Sequence, residues 1–291
     1  MDERAAHCLH GQGARAAHYC SLYCAAASAH APCSLPHTLA LPLSPSLPQL
    51  ARAAQYNNNN FQRGSPCLLT FDDAVTAFHE FGHGLHGLLS TAEFEGLAGT
   101  SVLKDFVELP SQLFEHWLSQ PQVLRAHARH VGTGEPLPEP LLASLKAAQK
   151  YGLGFATVEY TACALLDQAL HAMTREETEG LDVGAFEAQT LARLGMPQGI
   201  ILRHRPVHFD HLFGGSGYAA GYYVYLWAEV LDADAFEAFM ETGDCFSPAV
   251  AEKARRCIYG AGNTREPGEL FREFRGRDPN IEAMLKKKGL V

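Results

Sequence analysis

The chain should fold as a mainly α-helical protein with little β-structure. Three observations predict it. Beyond Tyr56, apolar residues recur at helical spacing through most of the chain. Glycine and proline punctuate these stretches, so Gly132 to Pro138 and Gly180 to Asp182 read as linkers. A single short segment, Cys67 to Phe71, reads as a strand.

In order, the chain opens on an unusual segment. From Arg4 to Phe71 there is no Asp or Glu, and Ala, Ser, His, Pro and Leu dominate. Residues 1–55 therefore read as a low-complexity, disordered leader, and 56–291 as the folded domain. Asn57 to Asn60 is a polar turn before the strand. Helices are then expected at 73–90, 106–119, 139–150, 153–174, 184–195, 218–240, 247–259 and 280–288. The chain has 291 residues, of which 47% are hydrophobic, enough for one or two domains with a full core.

The helix at 73–90 carries chemistry. Asp72 or Asp73 can cap it. It contains His79-Glu80-Phe81-Gly82-His83. Each helical residue turns about 100°, so His83 falls roughly 40° and Glu80 about 100° from His79, all on one face. Two imidazoles one turn apart can clamp one zinc ion, and a glutamate between them can act as general base. Phe78, Phe81, Leu85, Leu88 and Leu89 fall on the opposite face and should pack into protein. Gly82, Gly84 and Gly87 are poor helix formers, which implies close approach of another element.

The third ligand should be a carboxylate. The positions where a metzincin carries its glycine and third histidine hold His86 and Leu89. Glu108, 25 residues past His83, is the candidate. It sits in a second helix, with Pro110 in its first turn and Leu109, Leu113, Phe114 and Leu118 on the packing side. Two histidines and one glutamate leave the fourth position of a catalytic zinc open for water. Asp72 and Glu115 are candidates to orient the ligand histidines. His86 shares the metal side and reads as a hydrogen-bonded structural histidine, since a fourth protein ligand would close the open position.

Phe78 to Leu88 and Asp105-Phe106-Val107-Glu108-Leu109-Pro110-Ser111-Gln112 resemble the thimet oligopeptidase family of zinc metallopeptidases. The bacterial-type members, oligopeptidase A and peptidyl-dipeptidase, look most similar. Two more blocks agree: His211 to Trp227, with Gly214-Gly215-Ser216-Gly217-Tyr218 inside it, and Phe274-Arg275-Gly276-Arg277-Asp278-Pro279 followed by Met284-Leu285. The similarity runs from about Asn59 to Val291.

Tyr218, Tyr222 and Tyr225 stand at i, i+4 and i+7, a single stripe if the segment is helical. Such a stripe commonly packs a core. The resemblance implies another role: His211, Tyr218, Tyr222 and Tyr225 contact substrate and stabilise the tetrahedral intermediate. It also implies a zincin-type helical catalytic domain, one zinc ion per chain on His79, His83 and Glu108, and Glu80 as the base that activates water. Short unstructured peptides are the implied substrates. Family members are about twice this length, and the resemblance is to their C-terminal, catalytic half. Three readings follow: an active oligopeptidase, a relative that binds zinc without turnover, and a zinc hydrolase of another class.

The net charge of −9 argues against nucleic acid as a partner. No run of apolar residues is long enough to suggest a membrane helix. Cys8, Cys20, Cys24 and Cys33 lie in the leader, in no zinc-binding spacing. Cys67, Cys163, Cys245 and Cys257 sit in apolar surroundings and read as reduced core residues. A cytoplasmic location is expected, with an organelle as the alternative if the acid-poor leader is a transit peptide.

Overall fold

The computed structural model describes residues 7–9 and 70–291, position 216 excepted. Apart from residues 7–9, the leader lies outside the described residues, as do the Asn57 turn, residues 67–69 of the expected strand, and Cys20, Cys24, Cys33 and Cys67. The described chain is mainly α. Its helices are α1 (Phe71–Leu88), α2 (Lys104–Leu118), α3 (Pro121–His127), α4 (Glu139–Ala148), α5 (Leu153–His171), α6 (Arg175–Thr178), α7 (Val183–Arg193), α8 (Asp210–Phe213), α9 (Val224–Met240), α10 (Pro248–Ala254), α11 (Pro267–Arg275) and α12 (Glu282–Lys288). Among the described residues the β-structure is one short antiparallel pair, β1 (His7–Leu9) with β2 (Ala128–His130), in the register His7 opposite His130.

α1 starts earlier than the sequence predicts, and Phe71 is its first residue rather than the end of a strand. Thr70 is the N-cap, not Asp72 or Asp73. Its hydroxyl accepts from the Asp73 N–H, while the Asp73 carboxylate accepts from the Thr70 N–H. This reciprocal pair satisfies two donors that a helix start leaves open. α2 starts at Lys104, so Pro110 lies in its second turn rather than its first. Its carbonyl oxygen accepts a hydrogen bond from the buried Tyr259 hydroxyl.

Phe78, Phe81, Leu85 and Leu89 of α1 pack into protein as expected, but the opposite face is buried too. α2 crosses α1 on the histidine side, so Gly82, His83, Gly84 and His86 are buried there, while Leu88 at the helix end is 66% exposed. The crossing point is Gly82. A Cβ there would lie 2.6 Å from Ser111 Cα and 2.8 Å from the Pro110 carbonyl oxygen. Only glycine admits that approach. On the far flank Phe78 and Phe81 pack against Phe114 of α2, with ring centroids 5.2 and 5.7 Å apart.

The main core lies beneath α2. Phe106, Leu109 and Leu113 meet Leu231, Ala235, Phe236 and Phe239 of α9, Ile258 of a π-helical turn (Arg255–Tyr259), and Phe271 and Phe274 of α11. The expected helix at 247–259 is thus α10 continued by that π turn. α9 is buried along most of its length. Two carboxylates go in with it. Asp234 is held by Arg275 at 3.0 Å and Arg277 at 2.6 Å, and Asp232 by His116 and by Lys287 at 3.2 Å. The Phe274-to-Pro279 block therefore acts as an anchor, with Gly276 taking a positive φ of 78° at the end of α11. α3 and α11 stand where periodicity predicts no helix. Both are short and open on proline at the first helical position.

The largest departure is at 218–223. The expected helix 218–240 begins only at Val224, and the residues before it form turns. Ala220 has a φ of 54°, which interrupts a right-handed helix. Cys163, Cys245 and Cys257 are buried free thiols, as predicted. No helix among the described residues is long and apolar enough to cross a membrane.

Candidate active site

The crossing at Gly82 brings Glu108 of α2 under the two histidines of α1. Glu108 Oε2 lies 3.2 Å from His79 Nε2 and 3.3 Å from His83 Nε2. One ligand atom from each of the three residues lies within 4.8 Å of the others, the one such group among the described residues. Neighbouring ligands on a tetrahedral zinc with bonds of about 2.0–2.1 Å stand roughly 3.3 Å apart. The donor set and both measured edges therefore fit zinc.

Other groups hold the three in place. The Ser111 hydroxyl lies 3.2 Å from Glu108 Oε2. It reaches that carboxylate from three residues along the same helix face, a spacing that is visible in the sequence. Glu115 Oε1 lies 2.6 Å from His79 Nδ1, so it can fix the ring and leave Nε2 facing the site. Asp72, proposed for the same task, is exposed in the first turn of α1 and makes no bond to either histidine among the described residues.

The electrostatics show what the site does without an ion. Burial would lower the pKa of His79, but hydrogen bonds to Glu108 and Glu115, with both charges behind them, overcome it and raise it to about 10. Burial would raise the pKa of Glu108, but hydrogen bonds from His79 and His83 outweigh that and hold the carboxyl well below the usual carboxylate range. A proton is thus held in the place that suits a cation. Glu80, on the same helix, is half-buried, and its carboxylate carries no hydrogen bond or ion pair among the described residues.

His86 is not the hydrogen-bonded histidine expected. It is fully buried, with its ring 6.4 Å from that of Phe106, and neither ring nitrogen finds a partner among the described residues. Burial first, and the charge of His83 second, lower its pKa to about 4, so it is neutral.

The four aromatic candidates come together although they do not share a helix. His211 stacks on Tyr218 at 4.2 Å, and its Nε2 lies 3.1 Å from the Tyr225 hydroxyl. Burial raises the pKa of Tyr218, and the Glu108 charge adds to it against the lowering effect of the Tyr225 hydrogen bond. Burial, the Tyr218 hydrogen bond and the Glu108 charge raise Tyr225 further. Both phenols therefore stay protonated and feel the ligand carboxylate. The Tyr222 ring lies 6.2 Å from that of His211 and 6.0 Å from that of Tyr225, and packs closer still on Tyr160 at 4.8 Å and Phe209 at 4.9 Å.

Comparison with known proteins identifies a family. The family model "Peptidase family M3" matches residues 25–290, reaching further toward the N-terminus than the motifs quoted above. The chain is 41% identical over 244 residues to a dipeptidyl carboxypeptidase of Salmonella typhimurium, covering 82% of this chain and 35% of that protein. It is 41% identical over 249 residues to oligopeptidase A of Escherichia coli, covering 83% and 36%. An organellar oligopeptidase A of Arabidopsis thaliana, described as chloroplastic/mitochondrial, is 40% identical over 236 residues, covering 78% and 29%. The matched region is thus about a third of these relatives' length. With a family match over most of the chain and identities of 40% and 41% to its relatives, the chain belongs to peptidase family M3.

Proposed function

We propose that residues 56–291 form the catalytic unit of a zinc-dependent oligopeptidase that hydrolyses short peptides. The observation that carries this reading is the buried Glu108 carboxylate at ligand spacing from His79 and His83, with Glu80 on the same helix unbonded among the described residues. His79, His83 and Glu108 would hold one zinc ion. Bound there, zinc would polarise the scissile carbonyl and acidify water.

The chain's own groups supply the rest. Glu80 takes the proton of the attacking water and passes it to the leaving amine. Glu115 keeps His79 turned toward the site through its 2.6 Å contact with Nδ1. Tyr218 and Tyr225, protonated at neutral pH, donate to the oxyanion that develops on the carbonyl. His211 holds the Tyr225 hydroxyl, and Tyr222 secures the segment by packing.

Short peptides as substrates are supported by relatives whose names are oligopeptidase A and dipeptidyl carboxypeptidase. Three buried free thiols support a reducing compartment, the cytoplasm first. The test is incubation of the zinc-loaded protein with a mixture of short peptides and, separately, a folded protein. Cleavage of the short peptides alone supports the reading, and the product masses show where they are cut. Cleavage of folded protein, or cleavage that a chelator does not stop, contradicts it. The second reading is a unit that binds zinc but needs further chain for turnover, since this chain spans about a third of its relatives' length.

A further inference from the structure

The tyrosine segment is held from one side by a helix that contributes nothing to the zinc site. Asp167 of α5 is buried, with 1% of its surface exposed. Its carboxylate accepts the backbone N–H of Ala220 at 3.1 Å and of Tyr222 at 2.9 Å, and the His171 ring at 2.7 Å. No arginine or lysine is bonded to it among the described residues. Two more α5 side chains grip the same turn: the Tyr160 hydroxyl donates to the Tyr222 carbonyl and the Gln168 amide to the Ala220 carbonyl.

The grip falls on a segment whose sequence favours another shape. The tyrosine spacing is that of a helix, yet Ala220 sits at a positive φ of 54°, which alanine seldom adopts. A positive φ at a non-glycine residue persists where surrounding bonds over-determine it. A buried carboxylate on two N–H groups of one turn, those of Ala220 and Tyr222, is such a constraint. Were 218–223 helical, Tyr218, Tyr222 and Tyr225 would form one stripe. In the structure Tyr222 turns to Tyr160, while Tyr218 stacks on His211 and lies parallel to Tyr225 at 6.1 Å.

We propose that Asp167 is a positioning residue of the active site: it fixes the turn at Ala220 and so sets the Tyr218 and Tyr225 hydroxyls toward the substrate carbonyl. This rests on the peptidase reading above for its catalytic half and on geometry alone for its structural half.

The test compares Asp167→Asn and Asp167→Ala with the unmodified zinc-loaded chain. Hydrogen exchange of the peptide spanning 217–223 should quicken about tenfold or more in both variants, while exchange in α1, α2 and zinc content stay unchanged. For a short fluorogenic peptide, kcat should fall about tenfold or more with a smaller change in KM, because an oxyanion donor acts mainly in the transition state. Tyr218→Phe should lower kcat without quickening exchange. Combined with Asp167→Asn it should add little further loss, since the two changes remove one function. Unchanged exchange at 217–223 would overturn the proposal. So would quicker exchange with full turnover, or losses that simply multiply in the double variant. If the unmodified chain turns over no peptide, the peptidase reading fails separately. Hydrogen exchange then decides the structural half: quicker exchange at 217–223 in Asp167→Asn supports the positioning role, and equal exchange overturns it.

Discussion

Replacing Gly82 by alanine tests the geometry that creates the zinc site. The added Cβ would stand 2.6 Å from Ser111 Cα, whereas ordinary contact begins at 3.4 Å. Both neighbours are backbone, so no side chain can swing away; α1 and α2 must part by about 0.8 Å or bend, at a cost of about 1–3 kcal/mol for overpacking. The same parting moves Glu108 away from His79 and His83, whose edges to it are 3.2 and 3.3 Å. Zinc sites tolerate ligand displacements of only about 0.2 Å. Gly82→Ala should therefore lower both the melting temperature of the metal-free chain and its zinc affinity, the latter by about tenfold or more as read by chelator competition. Stability and zinc affinity both equal to the unmodified chain would refute the argument that this crossing sets the ligand geometry.

Three further outcomes follow from the site. Glu108→Ala should abolish stoichiometric zinc binding at micromolar zinc, as read by metal analysis after dialysis; retained zinc would mean that another residue is the third ligand. Glu115→Ala should keep the fold but weaken zinc about 10–100-fold, the usual effect of removing a partner behind a ligand histidine; unchanged affinity would show that His79 needs no orienting. The folded pKa of His79, about 10, lies above its ordinary 6.5. Its contribution to the stability of the metal-free chain is thus fully present below 6.5 and lost as pH rises through about 10. Zinc binding near pH 8 should accordingly release about one proton, measured by calorimetry in buffers of different ionisation heat. Release of none would mean that His79 is already neutral.

Much of this was legible in the residues. His79, His83 and Glu108 read as a ligand set because each sits at fixed spacing on a helix whose faces can be computed. Glu115 was legible for the same reason, lying two turns along from Glu108. Gly82 signalled a close approach, and α2 makes it. What failed was what depends on partners far off in sequence. Phe78, Phe81, Leu85 and Leu89 pack as their spacing predicts, but the histidine face of α1 is buried as well because α2 crosses it, and Leu88 is left exposed. His86 looked polar enough to find a partner, yet the neighbour given by folding is Phe106. The tyrosine stripe looked helical because local spacing cannot register Asp167, 53 residues before Ala220 in sequence, taking its N–H. Asp72 shares the ligand face by angle but sits in the exposed first turn.

The most direct test of the central claim compares the chain with its Glu80→Gln variant at equal, verified zinc content, reading the hydrolysis of short peptides by mass spectrometry. Chelator-sensitive cleavage by the unmodified chain is expected, with a loss of about 10²-fold or more in the variant, since general base catalysis contributes on that scale. Equal cleavage by both proteins would contradict the assignment of Glu80 as the base. Absence of cleavage by the zinc-loaded, unmodified chain would contradict the claim that this portion is a peptidase on its own.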